Sequence, residues 1–426
     1  MEATQLSMIL FWTGTASVLY CYIGYPLIVW CLARCLGRPC RARAVADAEL
    51  PDVSLLIVAH NEQALIGKRV ESALTIDYPA EKLEIVVVCD GCTDATAATA
   101  RAHPDQRVHV LELPNQVGKA AALTHGCAVA RHAILVLADV RQSWDRESVK
   151  LLVENFADPA IGAVSGNLVL EQAPGVLAGV GLYWRFEKWL RGQESRLYSM
   201  VGLSGSISAL RRELFRPIPQ GTILDDVYWP LQVVLQGYRV VLDERARAYD
   251  RLPKSSRDEF RRKVRTLSGN FQLVGRLPAA LLPWRNPVWF QYLSHKMLRL
   301  VVPWALLGML ITSWYLEGPG YRLAFWGQTA FYVAGLAGIR WKAMASGFRL
   351  VSVAASFLVL NAAAWLALWV WLSGKTSRSW VKVSYQPSLG SRKPAPALAS
   401  TQQVEDPACV SGSLKAGAGR KQDPND

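Results

Sequence analysis

Acidic residues are the scarce charge in this chain: 34 Asp and Glu stand against 47 Lys and Arg, for a formal net charge of +13. Histidine is rarer, at six, and none is suggested as the base of a hydrolase. Gly205 directly follows Ser204, so the Gly-x-Ser-x-Gly turn of a serine hydrolase is missing. The eight cysteines form no disulfide framework: Cys21, Cys31, Cys35 and Cys40 lie in or beside an apolar segment, and Cys409 lies near the end. Cys89-x-x-Cys92 has no second ligand pair at metal spacing, which excludes a zinc ribbon. These thiols read as small packing residues in a reducing cytosol. No zinc knuckle, recognition helix or single-strand stacking motif is evident, so the basic surplus does not indicate nucleic acid. Much of it flanks apolar segments, which makes anionic membrane lipids the more economical partner.

Apolar residues are plentiful. They make up 51% of the chain, with 16 Trp and a mean hydropathy of +0.15. Residues 8–31 carry no charge, no Lys or Arg precedes them, and Arg34, Arg38, Arg41 and Arg43 come directly after. A crossing takes about 20 residues, so this reads as a retained transmembrane helix rather than a signal peptide. The positive-inside rule then places the chain beyond Arg34 in the cytoplasm. Further apolar stretches occupy residues 298–316, 323–339 and 350–372. Arg340, Lys342 and Arg349 mark the loop between the last two as cytoplasmic. Counting crossings puts the carboxyl end outside, while Lys375, Arg378 and Lys382 argue for inside, a conflict that one re-entrant or interfacial stretch would remove.

Between residues 51 and 250 strand and helix signals alternate, which implies an α/β fold with a mostly parallel sheet. Short β-branched runs at 53–58, 85–88 and 134–137 read as strands buried on both faces. Further strands are predicted at 108–113, 163–170 and 240–243, and helices at 63–74, 95–102, 119–129, 146–156, 211–215 and 226–235. Residues 180–198 interleave Trp184, Phe186 and Trp189 with Arg185, Lys188 and Arg191, an amphipathic helix at the membrane or over the site. The predicted organisation is a transmembrane helix at 1–34, a cytoplasmic domain at 51–250, interfacial helices at 251–297, a transmembrane region at 298–373 and a disordered tail at 386–426.

The chemistry-bearing groups lie where strands end. Ligands of open α/β sheets sit just outside the carboxyl ends of the strands. In order, the groups are Ala59-His60-Asn61-Glu62, Asp90 with Asp94, Asn115-x-x-Gly118-Lys119, Asp139 with Arg141, Asp225-Asp226 and Arg265. A carboxylate there can accept from a base N–H or a ribose hydroxyl, although Glu62 can equally cap the next helix and Asp90 with Asp94 shape a turn. Gly118-Lys119 opens a helix whose amino terminus favours anions. Asp225-Asp226 can also serve as a helix cap pair.

This order of groups resembles the family 2 inverting glycosyltransferases, in particular the membrane-embedded branch of hyaluronan, cellulose, chitin and poly-N-acetylglucosamine synthases. The resemblance implies a Rossmann-like, nucleotide-sugar-binding domain of the GT-A type. It places His60, Glu62 and Asp90 near the uridine of a UDP-sugar, and Asn115, Gly118 and Lys119 near its diphosphate. Asp139 falls on the first acid of Asp-x-Asp, the ligand of Mg²⁺ or Mn²⁺; Arg141 replaces the second acid and can meet phosphate directly. Asp226 takes the place of the general base that deprotonates the acceptor hydroxyl, helped by Asp225. Arg265 matches the Arg of Gln-x-x-Arg-Trp, while Arg262 and Thr266 replace the Gln and Trp of processive members. The resemblance implies an inner-membrane hexosyltransferase that moves N-acetylglucosamine or glucose to a glycan or lipid-linked acceptor in polysaccharide synthesis. A single-addition transferase is the alternative within enzymes. A transporter or scaffold with a degenerate nucleotide fold is the alternative outside them.

Overall fold

The computed structural model describes residues 2–40, 42–170, 176–250 and 256–374. The expected tail at 386–426, the first residues of the 251–297 segment, and Arg41, Lys375, Arg378 and Lys382 lie outside the described residues.

Eight strands form one sheet: β1 (Val53–Ala59), β2 (Leu83–Asp90), β3 (Val108–Leu113), β4 (Ile134–Asp139), β5 (Ser143–Trp144), β6 (Ile161–Leu170), β7 (Ile207–Arg211) and β8 (Arg239–Asp250). Their order is β3-β2-β1-β4-β7-β6-β8-β5. The β3-β2-β1-β4 half is parallel, as the apolar runs imply. β7 runs antiparallel to both β4 and β6, whereas β6 and β8 are parallel. The sheet is therefore mixed but mostly parallel.

Alternate side chains along each strand enter two separate cores. Val53, Leu55 and Ile57 meet Ile66, Val70 and Ala73 of the helix Gln63–Leu74 on one face. Leu56, Val86 and Val88 meet Ala122, Leu123 and Cys127 of the helix Lys119–Val129, and Trp229 beyond it, on the other. A Cβ on Gly126 would lie 2.8 Å from Val88, so the absence of a side chain lets that helix sit tight on the sheet.

Three sequence expectations are corrected. The helix predicted at 211–215 is a single 3₁₀ turn, Arg212–Leu214, because Arg211 is the last residue of β7. β7 itself has no counterpart among the predicted strands. β8 extends to Asp250 rather than ending at 243, since its second half alternates exposed and buried residues and breaks the apolar run. All seven described cysteines are free, as expected.

Three helices are long and apolar enough to cross a membrane: Glu2–Cys35, Trp289–Tyr315 and Arg349–Leu372. The helix Pro319–Arg340 forms where an apolar stretch is predicted but does not reach that threshold. It lies against the last helix through Gly335 and Gly338, whose missing side chains let Ala354 and Val351 approach closely. The first two long helices each contain a π-helical turn, Tyr20–Gly24 and Tyr292–Met297. The turns face each other, and the hydroxyls of Tyr20 and Ser294 share a hydrogen bond of 2.8 Å.

A buried polar junction ties these helices to the α/β domain. His295, only 2% exposed, sets Nδ1 2.7 Å from Glu194 and Nε2 2.9 Å from Glu187, both on the aromatic helix Val176–Leu197. Both ring nitrogens of the imidazole thus face carboxylates. Arg299 pairs with Glu187 and donates to Tyr183, and Tyr25 donates to Glu194. Burial alone would push the Glu187 carboxyl up, but Arg299 and His295 hold it well below its ordinary range.

Candidate active site

The reversed direction of β7 builds the site. Ile207 pairs with Ala138, so the loop entering β7 lies at the same edge where β4 ends in Asp139. That loop, Val201–Ser206, also grips the start of the next helix. The Leu203 N–H donates to the carbonyl of Asp226 at 3.0 Å, and Gly202 lies against Val227. Asp225 and Asp226, the first residues of the helix Asp225–Leu235, are thus brought to the sheet edge.

Lys119 is the centre of the resulting cluster. Its Nζ donates to Asp139 Oδ1 at 2.6 Å and lies 3.8 Å from Asp225 Oδ2. A Cβ on Gly205 would stand 3.4 Å from the Asp226 side chain and 3.5 Å from Lys119 Nζ, which brings all four polar residues around one small glycine. Burial works against the Lys119 charge, but Asp139, Asp225 and Asp226 outweigh it and hold the ammonium above the ordinary lysine range. Asp226 moves the other way. Burial and the neighbouring Asp225 push its carboxyl up to about 6, opposed by Lys119, Lys296 and Arg191. A small cleft lined by Lys119, Gly205, Asp225, Ala138 and Trp229 opens beside this group.

Asp90 performs a different task. It is 2% exposed, and its two oxygens accept from the backbone N–H groups of Val117 (2.7 Å) and Gly118 (3.0 Å). The carboxylate thereby fixes the residues that deliver Lys119. His60 Nδ1 reaches the Asp90 carbonyl at 2.6 Å. Gly118 holds φ +89 with nothing within 4 Å of where its Cβ would be, so the need for glycine is conformational rather than steric. Gly118→Ala is expected to cost about 1–3 kcal/mol, measured as a lower midpoint of denaturant unfolding. Asn115 is exposed; its backbone and that of Gln116 approach Gly91 so closely that any Cβ there would overlap them.

The structural alternatives at the first and second strand ends resolve separately. Asp94 caps: its oxygens accept from the N–H groups of Thr96 (3.0 Å) and Gln63 (3.3 Å). Glu62 occupies the N-cap position of the helix Gln63–Leu74 but makes no side-chain cap bond. Arg141 pairs with Asp250 (3.5 Å), which also accepts from Gln142 at 2.7 Å. Arg265 lies one turn before Gly269 on the helix Ser256–Arg276, and Gly269 packs on Ile223 and Leu224 just ahead of Asp225. Gln272 and Arg276 hydrogen-bond the same 219–223 segment. That helix therefore pins the loop leading into the acid pair.

One buried residue escapes sequence reasoning. Arg69 is 3% exposed, stacks over Trp144 at 4.5 Å and donates to the Gln142 carbonyl. Burial pulls its guanidinium down to about 10, against the attraction of Asp139. Its signal was available: an arginine at a core-facing position between Ile66, Val70 and Ala73.

Among the described residues no group of three or more His, Cys, Asp or Glu could by itself hold a metal ion. Asp139 and Asp225, both within 4 Å of Lys119 Nζ, offer hard oxygen donors of the kind that Mg²⁺ or Mn²⁺ takes alongside phosphate oxygens and water. The donor set fits such an ion only when a phosphate completes it.

Residues 54–218 match the family model for glycosyl transferase family 2. The poly-beta-1,6-N-acetyl-D-glucosamine synthase of Staphylococcus aureus (strain COL) is 24% identical over 241 residues, 54% of this chain and 57% of that protein. A probable glycosyltransferase, YdaM of Bacillus subtilis (strain 168), is 25% identical over 238 residues, 53% of this chain and 57% of that protein. The match thus spans little more than half the length of these curated relatives. Among solved structures, the mannosyltransferase PcManGT of Pyrobaculum calidifontis, in complex with GDP-Man and Mn²⁺, superposes with a TM-score of 0.63 at 24% identity. That superposition covers 86% of this chain and 99% of the other. The shared fold is the GT-A type, and it includes helices beyond the family 2 segment.

Proposed function

Starting from a chain whose residues 54–218 are a family 2 glycosyltransferase domain, we propose that it transfers a hexose from a UDP-sugar to an acceptor hydroxyl, with inversion, at the cytoplasmic face of the inner membrane. The observation that carries the reading is the cluster of Asp139, Asp225 and Asp226 around Lys119 at the carboxyl edge of the sheet. Asp226 is the general base: a half-buried carboxyl poised near 6 is ionised at neutral pH yet basic enough to draw a proton from a hydroxyl. Lys119 faces the diphosphate, and Asp90, by holding Val117 and Gly118, sets the position from which Lys119 does so. His60 and Glu62 border the nucleoside, and Arg265 supplies a further cation from the helix that pins residues 219–223. Asp139 would hold a divalent ion, Mg²⁺ or Mn²⁺, which neutralises charge on the departing UDP.

Arg34 and Arg38 after the first long helix support a cytoplasmic domain. N-acetylglucosamine is favoured by the kinship with the poly-N-acetylglucosamine synthase, and glucose is the second choice. Thr266 in place of the expected Trp favours addition of one sugar, or a few, over a long processive chain. Detergent-solubilised full-length protein incubated with a panel of radiolabelled UDP-sugars is expected to label one product. EDTA is expected to abolish labelling and added Mn²⁺ or Mg²⁺ to restore it. Labelling from no nucleotide-sugar, with or without metal, would overturn the proposal.

A further inference from the structure

Two thiols flank Asp90, and both lie against one residue of β1. Cys89 is the register partner of Ala59 across β1 and β2, and it is 1% exposed in the core that holds Ile57 and Val87. Cys92 packs on the same core, is partly exposed, and donates its Sγ–H to the Ala59 carbonyl at 3.5 Å. Between them the chain turns tightly: the Gly91 N–H donates to the Cys89 carbonyl at 3.2 Å, and Gly91 takes φ +55. The turn therefore returns the second thiol to the side of the sheet occupied by the first. Burial, followed by the charge and hydrogen bond of the adjacent Cys92 thiol, pushes the Cys89 thiol up to about 12.

This turn is fastened to two other loops. On one side the N–H and hydroxyl of Thr93 donate to Asn61 Oδ1 at 2.8 and 3.3 Å, next to His60. On the other side Asp90 grips the amides of Val117 and Gly118, and the Gly91 N–H also reaches the Leu113 carbonyl at 3.2 Å. A Cβ on Gly91 would lie 2.2 Å from the Gln116 backbone nitrogen, so the turn cannot move that way without displacing the 115–118 loop. A disulfide needs its sulfurs about 2.05 Å apart, closer than two thiols in hydrogen-bond contact. Forming that bond would draw Cys92 off the Ala59 carbonyl and shift the turn against its neighbours.

From this geometry we propose that Cys89 and Cys92 form a site of reversible oxidative modification, whose disulfide loosens the grip of Asp90 on the 115–118 loop and weakens donor binding. The co-reactant is a low-molecular-weight disulfide. Cys92, the more exposed thiol, loses its proton and attacks one reagent sulfur; the reagent S–S bond breaks, and the first thiolate leaves and takes up that proton. Cys89 then attacks Cys92 Sγ, and the second reagent thiolate leaves with the Cys89 proton. Two protein thiols are oxidised, and one reagent disulfide is reduced to two thiols. Because only the thiolate attacks, the buried Cys89 makes the second step the slow one. In a reducing compartment the pair rests as thiols and closes when small disulfides accumulate. The consequence for donor binding rests on the transferase reading; the bond itself does not.

The test uses full-length protein in phosphatidylcholine nanodiscs, reduced with dithiothreitol or treated with glutathione disulfide, then alkylated and cut with trypsin. Lys82 and Arg101 bound one tryptic peptide that carries both thiols and no other cysteine. After glutathione disulfide this peptide is expected to be lighter by two hydrogens and to escape alkylation, and dithiothreitol is expected to reverse both changes. A peptide alkylated at both cysteines, or one that stops at a glutathione adduct, would overturn the proposal. The second readout is function. Oxidised protein is expected to bind UDP about tenfold more weakly, the effect of one lost charge-assisted contact, and to recover on reduction. Cys92→Ser, which keeps a donor for the Ala59 carbonyl, and Cys89→Ala are each expected to bind UDP normally and to be indifferent to glutathione disulfide. A linked peptide with unchanged UDP affinity, or equal loss of affinity in both variants, would also overturn it. Failure of the reduced protein to bind UDP would count instead against the transferase reading, while the peptide mass still decides the disulfide.

Discussion

Asp226→Asn is expected to lower sugar transfer about a thousandfold and, at pH 7, to make the protein more stable. The first effect comes from removing the base, since an amide cannot take the acceptor proton. The second comes from the direction of its titration. The Asp226 carboxyl is raised from 3.8 to about 6 in the folded chain, first by burial and then by Asp225. The folded state therefore binds this proton more tightly than the unfolded state does. That favourable contribution is fully present below pH 3.8 and is lost as pH rises through about 6, which leaves an ionised carboxylate that opposes folding at neutrality. Replacing it with Asn is expected to return about 1–2 kcal/mol, discounted because the group is only partly buried. Transfer by the unaltered enzyme should fall about tenfold per pH unit below that same titration. A pH–rate profile and denaturant unfolding of the variant check both statements. A variant that retains transfer would remove Asp226 from the chemistry.

Lys119→Met has the second largest expected effect, with the opposite sign for stability. Its ammonium stands between Asp139 at 2.6 Å and Asp225 at 3.8 Å, with Asp226 next to it. Without it three carboxylates face one another uncompensated. A loss of about 2–3 kcal/mol is expected, the range for a charge-assisted hydrogen bond left unpaired. The kcat/KM for the donor should fall about a hundredfold through the lost contact to the diphosphate. The pH–rate shoulder supplies a readout that a purely structural lysine would not move. Lys119 lowers the Asp226 titration, so in the variant the shoulder should shift to higher pH. An unmoved shoulder with an unchanged donor KM would assign Lys119 to folding alone.

The parallel half of the sheet was legible because β1, β2 and β4 are buried on both faces and so appear as unbroken apolar runs. The helix Lys119–Val129 was legible to its ends from Gly118 and its run of small residues. β7 was not, because Ile207-Ser-Ala-Leu-Arg211 is short and carries small residues on a packed face. That strand is also the one whose reversal brings Gly205 and Asp226 to the strand edge. The acids that meet at Lys119 could be named individually from strand ends, but their convergence depends on a reversal that no local pattern announces. The task of Asp90 illustrates a further limit. Its position at the end of β2 was evident, whereas its grip on two backbone amides depends on how the 115–118 loop folds back. The junction of Glu187, Glu194 and His295 joins elements about a hundred residues apart, and its members look ordinary one by one.

The paired π-helical turns give chain length an unusual meaning here. A π turn accommodates one residue more than the α-helix would at that point. Each therefore fixes the rotational phase of everything beyond it, and the Tyr20–Ser294 bond keeps the two phases matched. Losing one residue from Tyr292–Met297 would swing the next helix by about 100°. His295 and Lys296 could then no longer face Glu187 and Asp226 together. The helix Trp289–Tyr315, long and apolar enough to cross a membrane, thus doubles as an angular gauge, and evolution can lengthen or shorten that segment only in steps that restore the phase.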